Sequence, residues 1–481
     1  MKDFVRRIFN FRADRSILWG VGNNLFEVLD FSRGKSSWLL SVVPCLAKIK
    51  SAKISRQSSH RGWFLLLLIG SFAVATLLPL AGYGENTASL SRELVSRARG
   101  TQQEQLSNCS SKTARELRGV WLTNIDSDVL FSRENTTRAI ATLGQLNFNT
   151  LYPTVWNWGY TLYPSSVAEK VTGYELDPTE GLQERDVLEE IIDRGHELGM
   201  GVIPWFEFGF MAPADSELAQ RHPEWLTQHQ DGSTIWWEGN VHQRVWLNPL
   251  HPEVQQFITD LIVELVSNYD VDGIQLDDHF GVPSEFGYDD FTVQLYRQEH
   301  DGQLPPEDSQ DEQWIRWRAD KITAYMKELF GTIKKNNPDA IVSVSPNPQQ
   351  FSLNSFLLDW HRWERMGLIE ELVLQVYRSD HDSFTRELEQ PEVIAARNHI
   401  PVGIGILSGL NGRPVFLSDI RQQVEATRDR AFAGVSFFFY ESLWQIATES
   451  PQQRQAAFKA LFARAVKRPS ISDCWVARDE Q

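Results

Sequence analysis

Cysteine is nearly missing: 481 residues hold three, Cys45, Cys109 and Cys474. None stands in CxxC-type spacing to another, which excludes a structural zinc of the usual kind. No GxGxxG follows the first apolar run, so a dinucleotide site has no support. Positive charge is short as well: 47 Lys and Arg stand against 63 Asp and Glu, a formal charge of −16. Twelve of those 47 lie within residues 1–62, opposed there only by Asp3, Asp14, Glu27 and Asp30. The remainder is more acidic than the total suggests. Phosphate binding needs a basic face, so the main body has no nucleic-acid partner.

What is present begins with "WFLLLLIGSFAVATLLPLAGY", residues 63–83, uncharged and long enough to cross a bilayer as a helix. Basic residues precede it and Glu85 follows, so residues 1–62 read as a cytoplasmic tail and the rest as exported. Whether the segment is an inner-membrane anchor or a cleaved signal stays open, because "LLPLAGYGE" has small residues but no clean A-x-A site. Residues 84–114 are a polar linker, 115–470 the catalytic-size domain and 471–481 a tail.

From Leu117 onward, short apolar runs alternate with amphipathic stretches. The runs are 117–124, 148–157, 201–209, 271–280, 340–348, 371–380, 400–409 and 433–442. Eight strands alternating with helices predict an α/β fold, a (β/α)8 TIM barrel, with an open doubly wound sheet as the alternative. Barrel active sites lie at the C-terminal strand ends. Polar residues gather there: Asn124, Asn157, Glu207, Asp277, Asp278, His279, Asn347, Arg378, Asp380 and Glu441.

Side chains alternate along a strand, so Gln275 and Asp277 share the lumen face while Ile274 and Leu276 face the helices. Asp277 then points at substrate, and Asp278 fixes the loop that follows. Sugar hydrolysis needs a second group beside the first carboxylate. Glu207, Asp380 and Glu441 all lie near aromatic residues, which suits an acid of raised pKa, and equally suits buried ion-pair partners. Trp is plentiful: 17 residues, with Trp156, Trp158, Trp205, Trp225, Trp236, Trp237 and Trp246 around the second and third strand ends. Flat apolar faces with a polar edge match pyranose rings, so Trp156, Trp205, Trp236, Trp237 and Tyr377 join the substrate-binding candidates. A metal site on Asp277, Asp278 and His279 is disfavoured because adjacent strand residues point apart; no metal or cofactor is expected.

"ELRGVWLTN", "HPEWLTQHQDG", "WLNPLHPEVQQFITDLIVELVSNYDVDGIQLDDHF" and "LQVYRSD" resemble the family-10-like glycosyl hydrolases of bacteria, over roughly residues 115–450. The resemblance implies an exported (β/α)8 glycoside hydrolase acting on a polysaccharide, peptidoglycan glycan strands above all, with the cell-division machinery as a partner. "DGIQLD" is similar to the fourth-strand motif of α-amylase and α-galactosidase barrels, whose final Asp is the nucleophile; this lands on Asp277. Their acid follows the fifth or sixth strand, and the fifth run here has no carboxylate, so Asp380 is the match, with Glu207 or Glu441 as alternatives. A glycan-binding barrel without turnover, or a metal-dependent deacetylase, is the competing reading. Finally, Cys109 and Cys474 flank the barrel at its bottom face, and export favours a disulfide between them, with Cys45 reduced.

Overall fold

The computed structural model describes residues 115–469. The expected basic tail, membrane segment 63–83, linker, C-terminal tail, and the Cys109–Cys474 disulfide lie outside the described residues. Among the described residues no helix is long and apolar enough to cross a membrane.

Eight parallel strands form the centre: β1 Leu117–Leu122, β2 Thr150–Pro153, β3 in two pieces (Gly201–Val202 and Trp205–Phe206), β4 Gly273–Asp277, β5 Ile341–Ser345, β6 Glu371–Gln375, β7 Val402–Leu407 and β8 Gly434–Phe438. Their order runs from the first piece of β3 through β2, β1, β8, β7, β6, β5 and β4 to the second piece of β3. Both ends of the sheet are thus one strand, and the sheet curls back on itself as a TIM-barrel-like ring. Proline explains the break. Ile203 N still donates to Leu151 O of β2, but Pro204 has no N–H and offers only its carbonyl, which accepts from Gln275 N of β4 at 2.8 Å.

A helix follows each strand and covers the ring. The one between β3 and β4, α3 (Pro252–Asn268), starts on Pro252, where the missing N–H costs nothing. It buries Val254, Phe257, Ile258, Leu261, Ile262 and Leu265 against a sheet face that includes Ile274 and Leu276. The lumen has its own core of Trp121, Tyr152, Ile203, Trp205, Val373 and Phe438. Gly403 makes room for it, since a Cβ there would strike the Leu117 side chain. The alternation expected for β4 holds: Ile274 and Leu276 pack outward, while Gln275 accepts from Trp121 Nε1 (2.7 Å) and donates to Ser343 Oγ (3.0 Å) inside.

The chain after α8 (Pro451–Leu461) returns beneath the barrel. There Glu116 N donates to Lys467 O, Asn149 Nδ2 to Val466 O, and Arg468 pairs with buried Glu371 at the foot of β6. Tyr152 Oη and Ser343 Oγ complete the Glu371 shell at 2.9 and 3.0 Å. The strap seals the end opposite the polar strand tips.

Two strand boundaries differ from the expected runs. β2 stops at Pro153, and Trp156–Asn157 instead pairs with Tyr160–Thr161 in a small hairpin. β6 stops at Gln375, leaving Tyr377, Arg378 and Asp380 beyond the strand.

Candidate active site

Glu207 leaves the end of β3 into a buried polar nest. Its Oε2 accepts from Asn157 Nδ2 at 2.7 Å, Thr154 Oγ1 at 2.8 Å and Thr123 Oγ1 at 2.9 Å. Asn157 Nδ2 also donates to Asn124 Oδ1 (2.9 Å), so the tips of β1, β2 and β3 are tied to one carboxyl group. Burial pushes that carboxyl up to about 8; the Thr154 and Thr123 bonds pull it down, and the nearby Asp277 charge pushes it further up.

Asp277, the last residue of β4, is oriented from three other strands. Its Oδ2 accepts from Trp205 Nε1 at 2.9 Å, and from Ser345 Oγ and Gln375 Nε2 at 3.2 Å. Burial alone would raise its pKa, but hydrogen bonds from Asp278 and His279 and the imidazolium charge outweigh burial and hold it below the usual carboxylate range. Asp278 moves the opposite way. Burial, then the Asp277 charge, drives it well above the ordinary value, while the Asn347 amide donates to its Oδ2. His279 resists burial because Asp278 and Asp277 lie beside it, and its pKa reaches about 10. The cluster therefore holds Asp277 low beside a raised His279, with the Glu207 and Asp278 carboxyls pushed up.

The donor atoms of Asp277, Asp278 and His279 lie within 4.8 Å of one another. The expectation that alternation scatters them is corrected: the strand ends at Asp277, and Asp278–Phe280 turns as one 3-10 helix. The three residues can converge on a cation.

Tyr377 belongs to the same cluster. It stacks on Phe438 with centroids 5.5 Å apart, and burial with the charges of Asp277, Asp278 and Glu207 raises its hydroxyl well above its ordinary value.

A scan against family models matches residues 116–425 to "glycosyl hydrolase-like 10". The chain belongs to this family. It is accordingly a glycoside hydrolase. Glycosyl hydrolase DigH of Escherichia coli K12 is 25% identical over 373 residues, covering 68% of this chain and 75% of the relative. Glycosyl hydrolase YngK of Bacillus subtilis is 24% identical over 266 residues, 49% of this chain and 46% of its own. Two solved structures share the fold. The PgaB (BpsB) glycoside hydrolase domain of Bordetella bronchiseptica has a TM-score of 0.51 at 12% identity, covering 70% of this chain and all of that domain (100%). The catalytic domain of Paenibacillus polymyxa β-amylase also has 0.51, at 11% identity, covering 73% and 98%. These likenesses speak for the barrel alone.

The glycosyl hydrolase-like barrel thus gathers Asn124, Asn157, Trp205, Glu207, Asp277, Asp278, His279, Asn347 and Tyr377 at one end. Other expected site residues go elsewhere. Asp380 is exposed and caps the helix His381–Leu388, accepting from Ser383 N at 2.8 Å; that backbone bond lowers its pKa, opposite to what a proton donor needs. Arg378 pairs with Glu387 at 2.9 Å. Glu441 is buried and pushed by burial up to about 7, but its partners are Ser127 and Asp128 N of the loop after β1. Trp156 is wholly buried, donates to Gly209 O and packs on Phe257 of α3, so it is core rather than a sugar platform. Gln275 is fully buried in the lumen, bonded to Trp121 and Ser343.

Sequence reasoning missed Thr123, Thr154, Ser345 and Gln375. The registers held a signal for two of them: Ser345 pairs with Asp277 across β4 and β5, and Gln375 ends the next strand. Hydroxyls are too common to stand out without that register.

Proposed function

We propose that the chain hydrolyses O-glycosidic bonds of an envelope polysaccharide, with Asp277 and Glu207 as the working pair. One observation carries this: two carboxyls of one cluster are pushed in opposite directions, Asp277 down and Glu207 up to about 8. Glu207 gives its proton to the leaving oxygen as the C–O bond breaks. Asp277 stays ionised to meet the positive charge developing at the anomeric carbon. Water then supplies the new hydroxyl, and its proton returns to Glu207. Asp278 and His279 keep Asp277 charged and in place, Asn124 and Asn157 fix Glu207, and Tyr377 holds the sugar.

Peptidoglycan glycan strands are our preferred substrate, supported by the sequence resemblance and by the apolar segment 63–83, which would place the barrel outside the inner membrane. Incubation of the chain with peptide-free peptidoglycan and with neutral glucans, followed by mass spectrometry, tests it. Release of muro-oligosaccharides supports the reading, and cleavage of glucans alone rejects this substrate.

A further inference from the structure

The two carboxyl oxygens of Glu207 have unequal surroundings. Oε2 receives three donors at 2.7–2.9 Å, from Asn157 Nδ2, Thr154 Oγ1 and Thr123 Oγ1. Oε1 has one longer contact, 3.2 Å from Thr123 Oγ1. What else surrounds the threonines fixes the direction of their bonds. Thr123 Oγ1 already accepts from Ile125 N at 3.1 Å, so its one proton goes to the carboxyl. Thr154 is buried, and were its hydroxyl to accept from Glu207, its own O–H would lack an acceptor among the described residues.

A neutral carboxyl has one carbonyl oxygen, a good acceptor, and one hydroxyl oxygen that donates. Three donors converging on Oε2 make it the carbonyl oxygen, which leaves the proton to Oε1. Burial outweighs the Thr154 and Thr123 bonds and sets this carboxyl at about 8, so the proton is present at neutral pH. Charges at Asp277 and His279 reach Glu207 from the end of β4, and its own charge reaches Tyr377 beyond β6.

We propose that Thr123 and Thr154 are positioning residues for the acid step: by filling Oε2 with donors they set the transferable proton on Oε1 and receive the charge left when it departs. This rests on the reading of Glu207 as the acid of a glycoside hydrolase. In that step the glycosidic C–O bond breaks with its electron pair staying on the leaving oxygen, which takes the Oε1 proton. The electron pair of the O–H bond stays on Glu207. The carboxylate so formed shares its charge between both oxygens. Donors already aimed at Oε2 bind that charge more strongly than they bind a neutral carbonyl. Their contribution therefore grows along the step, and a gain of that kind lowers the barrier.

Thr154→Val fills the same space and removes one donor. The full chain in detergent is assayed on soluble peptide-free peptidoglycan glycan over about pH 5–10. kcat should fall about tenfold with KM little changed, and the basic limb of the profile should move up by about one pH unit, because a carboxyl stripped of a donor is a weaker acid. Thr154→Ser should restore both. A lowered plateau with an unmoved limb, or no rescue by serine, overturns the proposal. Infrared difference spectra, wild type minus Glu207→Gln at about pH 6, read the proton's place without substrate. The Glu207 carbonyl stretch should lie low in the wild type, weakened by its donors, and rise in the Thr154→Val background. A high, unbonded carbonyl band in the wild type overturns the proposal even if Thr154→Val does not fold. Absence of hydrolysis by the wild type rejects the reading of Glu207 as an acid, and a low band beside it leaves only the proton's placement standing.

Discussion

His279 Nδ1 lies 2.8 Å from the backbone oxygen of Glu207 and 3.2 Å from Asp277 Oδ1. One imidazole thus joins the ends of β3 and β4, and with them the two carboxyls that are to act on opposite sides of the same bond. Its charge is one of the forces holding Asp277 below the usual range. Replacing His279 by Gln keeps a polar side chain and removes the cation. Asp277 then rises, and the acidic limb of the kcat/KM profile should move to higher pH, with activity at neutrality reduced on the order of ten- to a hundredfold. An unshifted acidic limb would show that the imidazolium does not tune Asp277.

The adjacent pair Asp277 and Asp278 should separate cleanly under substitution. Burial raises Asp278 and Asn347 holds it, so Asp278→Asn, neutral and of the same shape, should cost about tenfold or less in kcat. The same change at Asp277 removes a charge that develops its full value only in the transition state. Steady-state kinetics of both variants on one glycan, beside their melting temperatures, tells the roles apart. Equal losses at the two positions would dissolve the distinction.

Glu207 predicts a pH dependence of stability. Its folded pKa, near 8, exceeds that of an ordinary carboxyl, so between about pH 4.5 and 8 the folded state binds the extra proton. Stability from this group is complete below the unfolded pKa and falls as pH rises, by up to about 1.4 kcal/mol per pH unit. Asp126 and Glu441, raised by burial to about 6 and 7, add to the same decline. Denaturant unfolding across that window should therefore show a shallower fall for Glu207→Gln than for the wild type. Parallel curves for the two proteins would mean Glu207 is ionised in the fold.

At the barrel floor, half-buried Arg468 meets buried Glu371. Arg468→Met leaves the Glu371 carboxylate without its cation and should destabilise the fold by about 3–5 kcal/mol. Adding Glu371→Gln removes the stranded charge and should recover much of that loss. Urea unfolding of the single and double variants measures the coupling, and additive losses would mean the pair does not lock the strap.

The barrel was legible because its strands are buried on both faces and its helices carry one apolar stripe, patterns of different period. Asp277 was legible for the same reason, as alternation with Ile274 and Leu276 fixes which way it points. Asp380 was not, because a carboxylate after a strand looks the same whether it faces a lumen or caps the next helix, and the N–H it caps is the backbone of Ser383, which any residue would offer. Trp156 misled for a related reason. A hairpin after β2 turns it toward α3, and no local pattern distinguishes a ring in the core from a ring in a groove. The convergence of Asp278 and His279 on Asp277 depended on the strand ending at Asp277, three residues before the end of the run 271–280.

The most direct measurement is product release from peptide-free peptidoglycan by the wild type and by Asp277→Asn, with folding verified by an unchanged melting temperature. The account predicts that the wild type releases soluble oligosaccharides and that the variant, equally folded, is slower by roughly three orders of magnitude or more. Near-wild-type release by folded Asp277→Asn would contradict it and move the chemistry to another carboxyl of the barrel.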